Sequence, residues 1–319
     1  MRTVIFAAAL GSLANLSAQA EPRLIATVGM IAEPARVIAG TCASVDTMMG
    51  PGIDPHLYQP SAGDVRSLFD ADAILYAGHN LEGQLGEVLA RLDGRKPVLA
   101  VSEAAAPVEN LILPEGASYP DPHLWMDAAL WSRIASPIAT LMATLDPDCS
   151  TEAKNAAEDY VTELMALDAW IEASIATIPQ TQRVMVTAHD AFAYYGRAYG
   201  IEVIGIQGVS TESEAGIADI RQMVDLVVDR QIPAVFIEST INPRTVEAVI
   251  AAAAERGHQV TLGGELFSDA MGAEGTVEGT YIGMLHANTV AVIMALGGTP
   301  APLPAALHPW AERWGLSPQ

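Results

Sequence analysis

Short apolar runs alternate with stretches of helical periodicity along most of the chain. Runs of about five to seven apolar residues are typical of buried strands in a parallel sheet that helices cover on both faces. The pattern predicts strands over residues 24–30, 42–49, 72–78, 97–102, 183–188, 202–206, 234–238 and 259–263. It predicts helices over residues 62–70, 82–92, 191–199, 214–230, 243–256 and 280–296. Each half of the chain is therefore predicted to be an α/β unit of its own.

Two helix signals stand out from this pattern. Ser61 and Asp64 have the spacing of a capping box at the start of the helix over 62–70. Residues 151–177 contain neither Gly nor Pro, so they can form a helix about 40 Å long. Its apolar residues recur at alternating spacings of four and three, which predicts one buried stripe: Ala153, Ala157, Tyr160, Leu164, Leu167 and Ile171.

The long helix lies midway between the two α/β halves, and this position favours a connector that packs on both. We therefore predict an N-terminal lobe over residues 21–150, a connecting helix over 151–178 and a C-terminal lobe with a tail over 179–319. An ordinary surface helix within one domain is the alternative. The length of the predicted mature chain, residues 21–319, also favours two domains, since a single core rarely grows past about 250–300 residues.

The first 20 residues have the pattern of a secretory signal peptide. Arg2 precedes an apolar run over residues 4–16, and Ala18-Gln19-Ala20 supplies the small residues of a cleavage site. The run is too short for a membrane anchor, which needs about 20 strongly apolar residues. No cysteine directly follows the run, so we expect a periplasmic protein that lacks a lipid anchor.

Charge and cysteine content narrow the function further. The formal net charge of −22 argues against nucleic acid and against an anionic membrane surface as partners. In an oxidising compartment the two cysteines, Cys42 and Cys149, could form a disulfide. Two buried free thiols are the alternative, and the spacing does not decide between them.

Four residues form a candidate metal site. His56 follows the strand over 42–49, His123 lies in an Asp-Pro-His-Leu-Trp loop, and His189 ends the strand over 183–188. Asp269 lies in a Gly-rich loop after the strand over 259–263. Ligands of open α/β sheets bind beyond the carboxyl ends of the strands. Neutral imidazoles with a carboxylate suit Zn²⁺, Mn²⁺ and Fe²⁺, so we predict a divalent metal between the lobes.

The motifs around these residues resemble the cluster 9 metal-binding solute receptors of ABC transporters, the TroA/ZnuA-like group. The resemblance covers nearly the whole mature chain and is carried by Gly-Ile-Asp-Pro-His56, Asp-Pro-His123-Leu-Trp-Met-Asp, Thr-Ala-His189-Asp-Ala-Phe and Leu-Phe-Ser-Asp269-Ala-Met-Gly. It implies two α/β lobes joined by a rigid helix, with these four residues as the metal ligands. It also implies a membrane permease as partner, leaves a metallochaperone open, and fits a monomer.

Two details of the resemblance bear on the metal. Receptors of the group that look dedicated to manganese commonly have Glu at the position of His189. Many zinc receptors have a His-rich loop before the second ligand, whereas residues 107–122 here contain no histidine. Nitrogen-rich sites bind Zn²⁺ more tightly than Mn²⁺. The sequence therefore favours zinc, with manganese as the alternative.

The neighbours of these residues have predicted roles as well. A ligating imidazole usually donates its second N–H to a carboxylate, a carbonyl or water, and Glu238 is the best-placed carboxylate in the second half. Asp190 is predicted to cap the helix that follows His189. The remaining histidines have other predicted places. His79 is predicted near the rim of the cleft and His258 in an exposed turn. His286 is predicted to have a structural role within a helix, and His308 lies in the Pro-rich tail.

Three other functions are alternatives to metal capture. An exported zinc hydrolase needs an open coordination position and a general base, and the sequence has no His-Glu-x-x-His motif. A two-lobed receptor for an organic solute usually presents Arg or aromatic residues to its cleft, and no basic residue follows the four strand ends. A role as an adhesin is neither supported nor excluded. We therefore expect a binding protein and not an enzyme.

Overall fold

The computed structural model describes residues 21–316. The predicted signal peptide lies outside this range and stays a prediction. Within residues 21–316, no helix combines the length and the apolar character that a bilayer crossing requires.

The eight predicted strands are all present, and every strand pair is parallel. The first lobe has a four-stranded sheet in the order β2-β1-β3-β4. In the second lobe β5 pairs with β6 and β7 with β8, and β5 lies beside β7. The prediction of two parallel α/β lobes is confirmed. The strands are β1 Arg23–Val28, β2 Ser44–Met49, β3 Ala73–Tyr76, β4 Val98–Ala100, β5 Val184–His189, β6 Glu202–Gln207, β7 Ala234–Glu238 and β8 Thr261–Leu266.

Helices cover the sheets and fill the connections between strands. The helix over 62–70 is confirmed, and Ser61 and Asp64 form the expected capping box. The helices are α1 Gly29–Ala39, α2 Ala62–Asp70, α3 Gly86–Leu92, α4 Val101–Ala105, α5 Ala128–Trp131, α6 Ala135–Leu145, α7 Ser150–Ile175, α8 Ala193–Tyr199, α9 Ile217–Asp229, α10 Arg244–Glu255, α11 Tyr281–Ala295 and α12 His308–Arg313.

Helix α1 was not predicted. Its first residues, Gly29 and Met30, continue the apolar run of β1, so the sequence pattern assigned them to the strand. Pro34 lies inside the helix, where proline removes a backbone hydrogen bond and normally argues against a helix. Burial of most of α1 in the first lobe overrides both local signals.

The long helix α7 spans 26 residues and joins the two lobes. All six residues of the predicted apolar stripe are buried. The helix packs on α1, α5 and α6 of the first lobe and on α8 and α11 of the second. Because a packed helix resists bending more than a Gly/Ser linker would, the connection between the lobes is stiff. The domain boundaries at residues 150 and 178 stay a prediction.

A disulfide fixes the start of α7 to the first lobe. Cys42 follows α1 and Cys149 directly precedes α7, and their Cα atoms are 5.8 Å apart. The sequence did not distinguish a disulfide from two free thiols, and the structure shows the disulfide between Cys42 and Cys149. A loop of 107 residues is closed in this way, which on the chain-entropy account stabilises the fold by about 4–5 kcal/mol.

The C-terminal tail packs into the core that α7 and α11 share with the first lobe. Trp310 is buried and its ring lies 5.6 Å from that of His286, which also stacks on Trp170 at 4.8 Å. His286 therefore has the structural role predicted for it. His258 was predicted to be exposed, and this is wrong in part: it is half-buried, and its Nε2 atom lies 2.8 Å from the carbonyl oxygen of Ile232.

Candidate metal centre

The four predicted site residues come together between the lobes. His56 and His123 come from loops of the first lobe, His189 is the last residue of β5, and Asp269 follows β8 by three residues. All four side chains are buried. One nitrogen or oxygen atom from each lies within 4.8 Å of the others.

The donor atoms face a common centre. The Nε2 atoms of His56 and His123 are 3.4 Å apart. Asp269 places its Oδ1 atom 3.1 Å from Nε2 of His123. Its Oδ2 atom lies 3.2 Å from Nε2 of His189 and 3.6 Å from Nε2 of His56. Asp269 thus faces all three imidazoles and uses both oxygens to do so.

Two Asp-Pro-His turns position the histidines of the first lobe. In each turn the Asp Oδ1 atom accepts a hydrogen bond of 2.9 Å from the His backbone N–H. Asp54 accepts from His56, and Asp121 accepts from His123. Such a side-chain-to-backbone bond over two residues is an Asx-turn, which fixes the direction of the histidine side chain locally.

The two Asp residues differ in their second contacts. Asp121 Oδ1 also lies 2.7 Å from Nδ1 of His123 and so orients the ring itself. Asp54 Oδ2 instead accepts a hydrogen bond of 2.6 Å from the hydroxyl of Thr211, in the second lobe. Sequence reasoning missed both carboxylates as supporting groups, although the repeated Asp-Pro-His pattern contained the signal.

Glu238 supports His189, as the sequence predicted. Its Oε2 atom lies 2.5 Å from Nδ1 of His189, and its Oε1 atom accepts a 2.8 Å hydrogen bond from the His189 backbone N–H. The prediction for Asp190 is wrong. Helix α8 begins two residues later than expected, and Phe192 precedes it without a side-chain cap.

The loop that carries Asp269 is held by buried groups that the sequence did not reveal. Asn288 of α11 accepts a 2.8 Å hydrogen bond from the Phe267 backbone N–H and donates one of 2.7 Å to the Phe267 carbonyl. From the first lobe, the indole N–H of Trp125 donates a 2.8 Å hydrogen bond to the Ser268 carbonyl. These contacts fix a Gly-rich loop whose conformation the sequence pattern did not predict.

Electrostatics divides the three imidazoles into two kinds. Burial would lower the pKa of His123, but the carboxylates of Asp269 and Asp121 outweigh it and raise that pKa to about 9. Against the same opposing burial, Glu238 and Asp269 raise the pKa of His189 well above its usual range. Burial prevails at His56 and lowers its pKa to about 4.

Asp269 is the common anion of this group. Although burial opposes its ionisation, His189 and His123 hold its pKa well below the usual range. Both of its oxygens, together with Nε2 of His189, are buried and make no hydrogen bond of good geometry among the described residues. Buried polar atoms without such a partner are costly, and a cation at the common centre would satisfy all of them.

Comparison with known proteins assigns the family. Residues 24–295 match the family described as ZnuA, zinc-uptake complex component A, periplasmic. The chain belongs to this family. Its members are substrate-binding components of metal ABC transporters and are not enzymes.

Two relatives show how far the similarity extends. The zinc-binding protein TroA of Treponema pallidum is 44% identical over 291 residues, which are 91% of this chain and 94% of TroA. The manganese-binding lipoprotein MntA of Bacillus subtilis is 42% identical over 285 residues, 89% and 92% of the two chains. A solved structure of T. pallidum TroA superposes with a TM-score of 0.84 at 45% identity, over 86% of this chain and 99% of that one. The two-lobed fold is therefore that of TroA.

Proposed function

We propose that this protein captures a divalent transition metal ion in the periplasm and delivers it to the membrane permease of an ABC importer. His56, His123, His189 and Asp269 are its ligands. One observation carries the proposal: three imidazoles and a carboxylate, drawn from both lobes, bring their donor atoms within 4.8 Å of one another in a buried centre.

Part of the donor spacing suits zinc. Tetrahedral Zn²⁺ with bonds of about 2.0–2.1 Å separates its ligand atoms by about 3.3 Å. The separation between the Nε2 atoms of His56 and His123, and those from the two Asp269 oxygens to the three imidazoles, range from 3.1 to 3.6 Å, and the donors of all four residues lie within 4.8 Å of one another. Three nitrogen donors favour Zn²⁺ over Mn²⁺ at equal concentration. Both Asp269 oxygens face the centre, so a metal of higher coordination number, such as Mn²⁺, can also be held.

The relatives do not separate these two metals. One is named for zinc and the other for manganese, and their identities to this chain differ by two percentage points, 44% and 42%. We propose zinc because of the donor set. An enzymatic role is not proposed, because four protein ligands fill a tetrahedral zinc site and leave no position for a reacting water.

We further propose that the protein has no lipid anchor and acts as a monomer. The B. subtilis relative is named a lipoprotein. In this chain both cysteines pair with each other, so neither offers the thiol that a lipid thioether requires. Phase separation in a detergent that clouds on warming tests the first point: partition of the exported protein into the detergent phase would contradict it.

Equilibrium dialysis of the metal-stripped protein, residues 21–319, against Zn²⁺ and against Mn²⁺ tests the function. We expect tight binding of one ion per chain, with Zn²⁺ tighter than Mn²⁺. A variant with His123→Ala and Asp269→Ala is the matched control and should bind neither ion tightly. If the unaltered protein binds neither ion, the proposed function is wrong; if Mn²⁺ binds tighter, only the choice of zinc is wrong.

A further inference from the structure

A cavity of about 460 Å³ opens beside the candidate metal centre, and His56 lies in its wall. Of the four proposed ligands, His56 is the most accessible, with 5% of its surface exposed against 0–1% for the others. A metal ion that reaches the centre from solvent therefore passes His56 first. The other lining residues of this cavity decide what the ion meets on the way.

Three of these lining residues can bind a metal ion: Glu115, His79 and Asp190. Glu115 is exposed, His79 and Asp190 are half-buried, and His56 is buried. Potential donors are thus available at each degree of burial between solvent and the centre. A hydrated cation loses its water stepwise on such a route, and each donor that replaces a water molecule lowers the cost of desolvation.

His79 has features that its neighbours lack. Its Nε2 atom is buried and has no hydrogen-bond partner among residues 21–316. Burial lowers the pKa of its imidazole, which keeps a ring nitrogen free of a second proton near neutral pH. Its backbone is left-handed, with φ of 50° between Gly78 and Asn80, which also have positive φ. Left-handed geometry is unfavourable for histidine, so the local fold holds it there at a cost.

The surrounding contacts keep this loop beside His56. Buried Glu82 accepts hydrogen bonds from the backbone N–H groups of Ala77 and Gly78, and Glu103 accepts one from that of His79. A Cβ atom on Gly83 would lie 2.9 Å from the carbonyl oxygen of His56, so the loop packs directly on the His56 backbone. A strained loop that is fixed against a proposed ligand thus places His79 in the wall of the same cavity, with its Nε2 atom buried and unpaired among residues 21–316.

We propose that His79 is a transfer ligand, which binds the incoming metal transiently in the cavity and passes it to His56. This inference rests on the proposed function, because it presupposes that metal binds at the centre. A group that binds the ion only during passage lowers the barrier in both directions. His79 therefore accelerates association and dissociation by the same factor and leaves the equilibrium dissociation constant unchanged.

Stopped-flow competition between the full mature protein and a fluorescent zinc chelator tests the proposal. His79→Asn preserves the left-handed backbone, which Asn tolerates, and His79→Gly relieves the strain altogether. For both variants we expect kon and koff to fall together by about tenfold, the effect of one modest contact at the barrier. His308→Asn, a change in the tail at another half-buried histidine, is the matched control and should leave both rates unchanged.

The outcomes separate the two proposals. If the unaltered protein binds no zinc, the proposed function fails and the transfer ligand with it. If it binds zinc but kon is the same in both variants, the transfer ligand alone is refuted. A weaker equilibrium affinity with higher koff and unchanged kon would assign His79 a structural role and also refute it. The same holds if only one of the two variants changes the rates, since that would trace the effect to the backbone.

Discussion

The two Asp-Pro-His turns of the first lobe have the same sequence and the same local hydrogen bond, yet they place their histidines in different environments. His123 is fully buried, which would lower its pKa, but Asp269 and then Asp121, which contacts the ring, raise that pKa to about 9. His56 lies at the wall of a cavity, and burial lowers its pKa to about 4. Its partner Asp54 contacts Thr211 of the opposite lobe instead of the ring. A local motif thus fixes where a side chain points, while the tertiary contacts fix its charge and its access to solvent.

The largest expected difference between the turns comes from removing each imidazole. His123→Ala should weaken zinc binding by more than the roughly 10–100-fold that loss of a supporting partner costs. It leaves the carboxylates of Asp121 and Asp269 facing a buried gap. His56→Ala should weaken binding less, because water from the cavity can take the vacated position. Competition titrations with a chelator of known affinity measure both, and an equal or larger loss for His56→Ala would contradict the assigned asymmetry.

The next difference concerns the two supporting carboxylates. Asp121→Asn should reduce zinc affinity about 10–100-fold, because the acceptor on Nδ1 of His123 loses its charge. Asp54→Asn is the matched control: it keeps an Oδ1 atom for the turn and does not contact the ring of His56. It should change affinity far less. Equal losses in the same titration would show that both carboxylates act through the turn geometry alone.

These differences also show what the sequence could and could not predict. The strands, most helices, the long connector and the positions of the three histidines follow from periodicity, strand ends and motif contexts, all of which are local. The full ligand set, and Asp269 above all, rested on the resemblance to the TroA/ZnuA-like group. Helix α1 was missed because tertiary burial overrides Pro34. The role of Asn288 depends on which chain segments meet in space, so no local pattern specifies it. The disulfide was left open for the same reason. Asp121 was missed although its contact with His123 lies within one Asp-Pro-His turn, whose repetition in the sequence contained the signal.

The pH dependence of binding follows from the three imidazoles. At an unperturbed histidine, protons would stop competing with the metal for the ring nitrogen above about pH 6.5. In the metal-free protein, however, the raised pKa values of His123 and His189 keep both rings protonated at pH 7, whereas His56 is neutral. Zinc binding should therefore release protons, and affinity should rise with pH up to about pH 9. Isothermal titration in buffers of different ionisation enthalpy counts the protons.

Two variants sharpen this dependence. Asp121→Asn removes a charge that raises the pKa of His123, so the contribution of His123 to the rise in affinity should end at a lower pH, while that of His189 stays in place. His56→Ala removes a ring that is already neutral and should leave the slope of affinity against pH between pH 6 and pH 9 in place. A flat affinity profile from pH 6 to 9 would contradict the assigned charges.

The stability of the metal-free fold depends on pH through the same groups. The raised pKa of His123 stabilises the metal-free fold below pH 6.5, and this stability is lost as pH rises through about 9.

The smallest expected effect tests the contact that distinguishes the first turn. Thr211→Val keeps the shape of a buried side chain but removes the hydroxyl that donates to Asp54 across the lobes. A hydrogen bond to a charged group contributes about 1.5–3 kcal/mol, and the half-buried position of Asp54 reduces the expected loss in free energy of unfolding to about 1 kcal/mol. Zinc affinity should fall only a few-fold, since His56 keeps its turn.

Urea unfolding with and without zinc measures this effect, and Thr211→Ser, which retains the hydroxyl, is the control. Because the lobes are already joined by α7 and by the packing of Trp125 on the Asp269 loop, one lost hydrogen bond should not open the cleft. If Thr211→Val instead abolishes zinc binding while Thr211→Ser does not, the Asp54–Thr211 contact is what closes the site. The turn of Asp54 and His56 would then hold the two lobes together, and the turn of Asp121 and His123 would only orient a ligand.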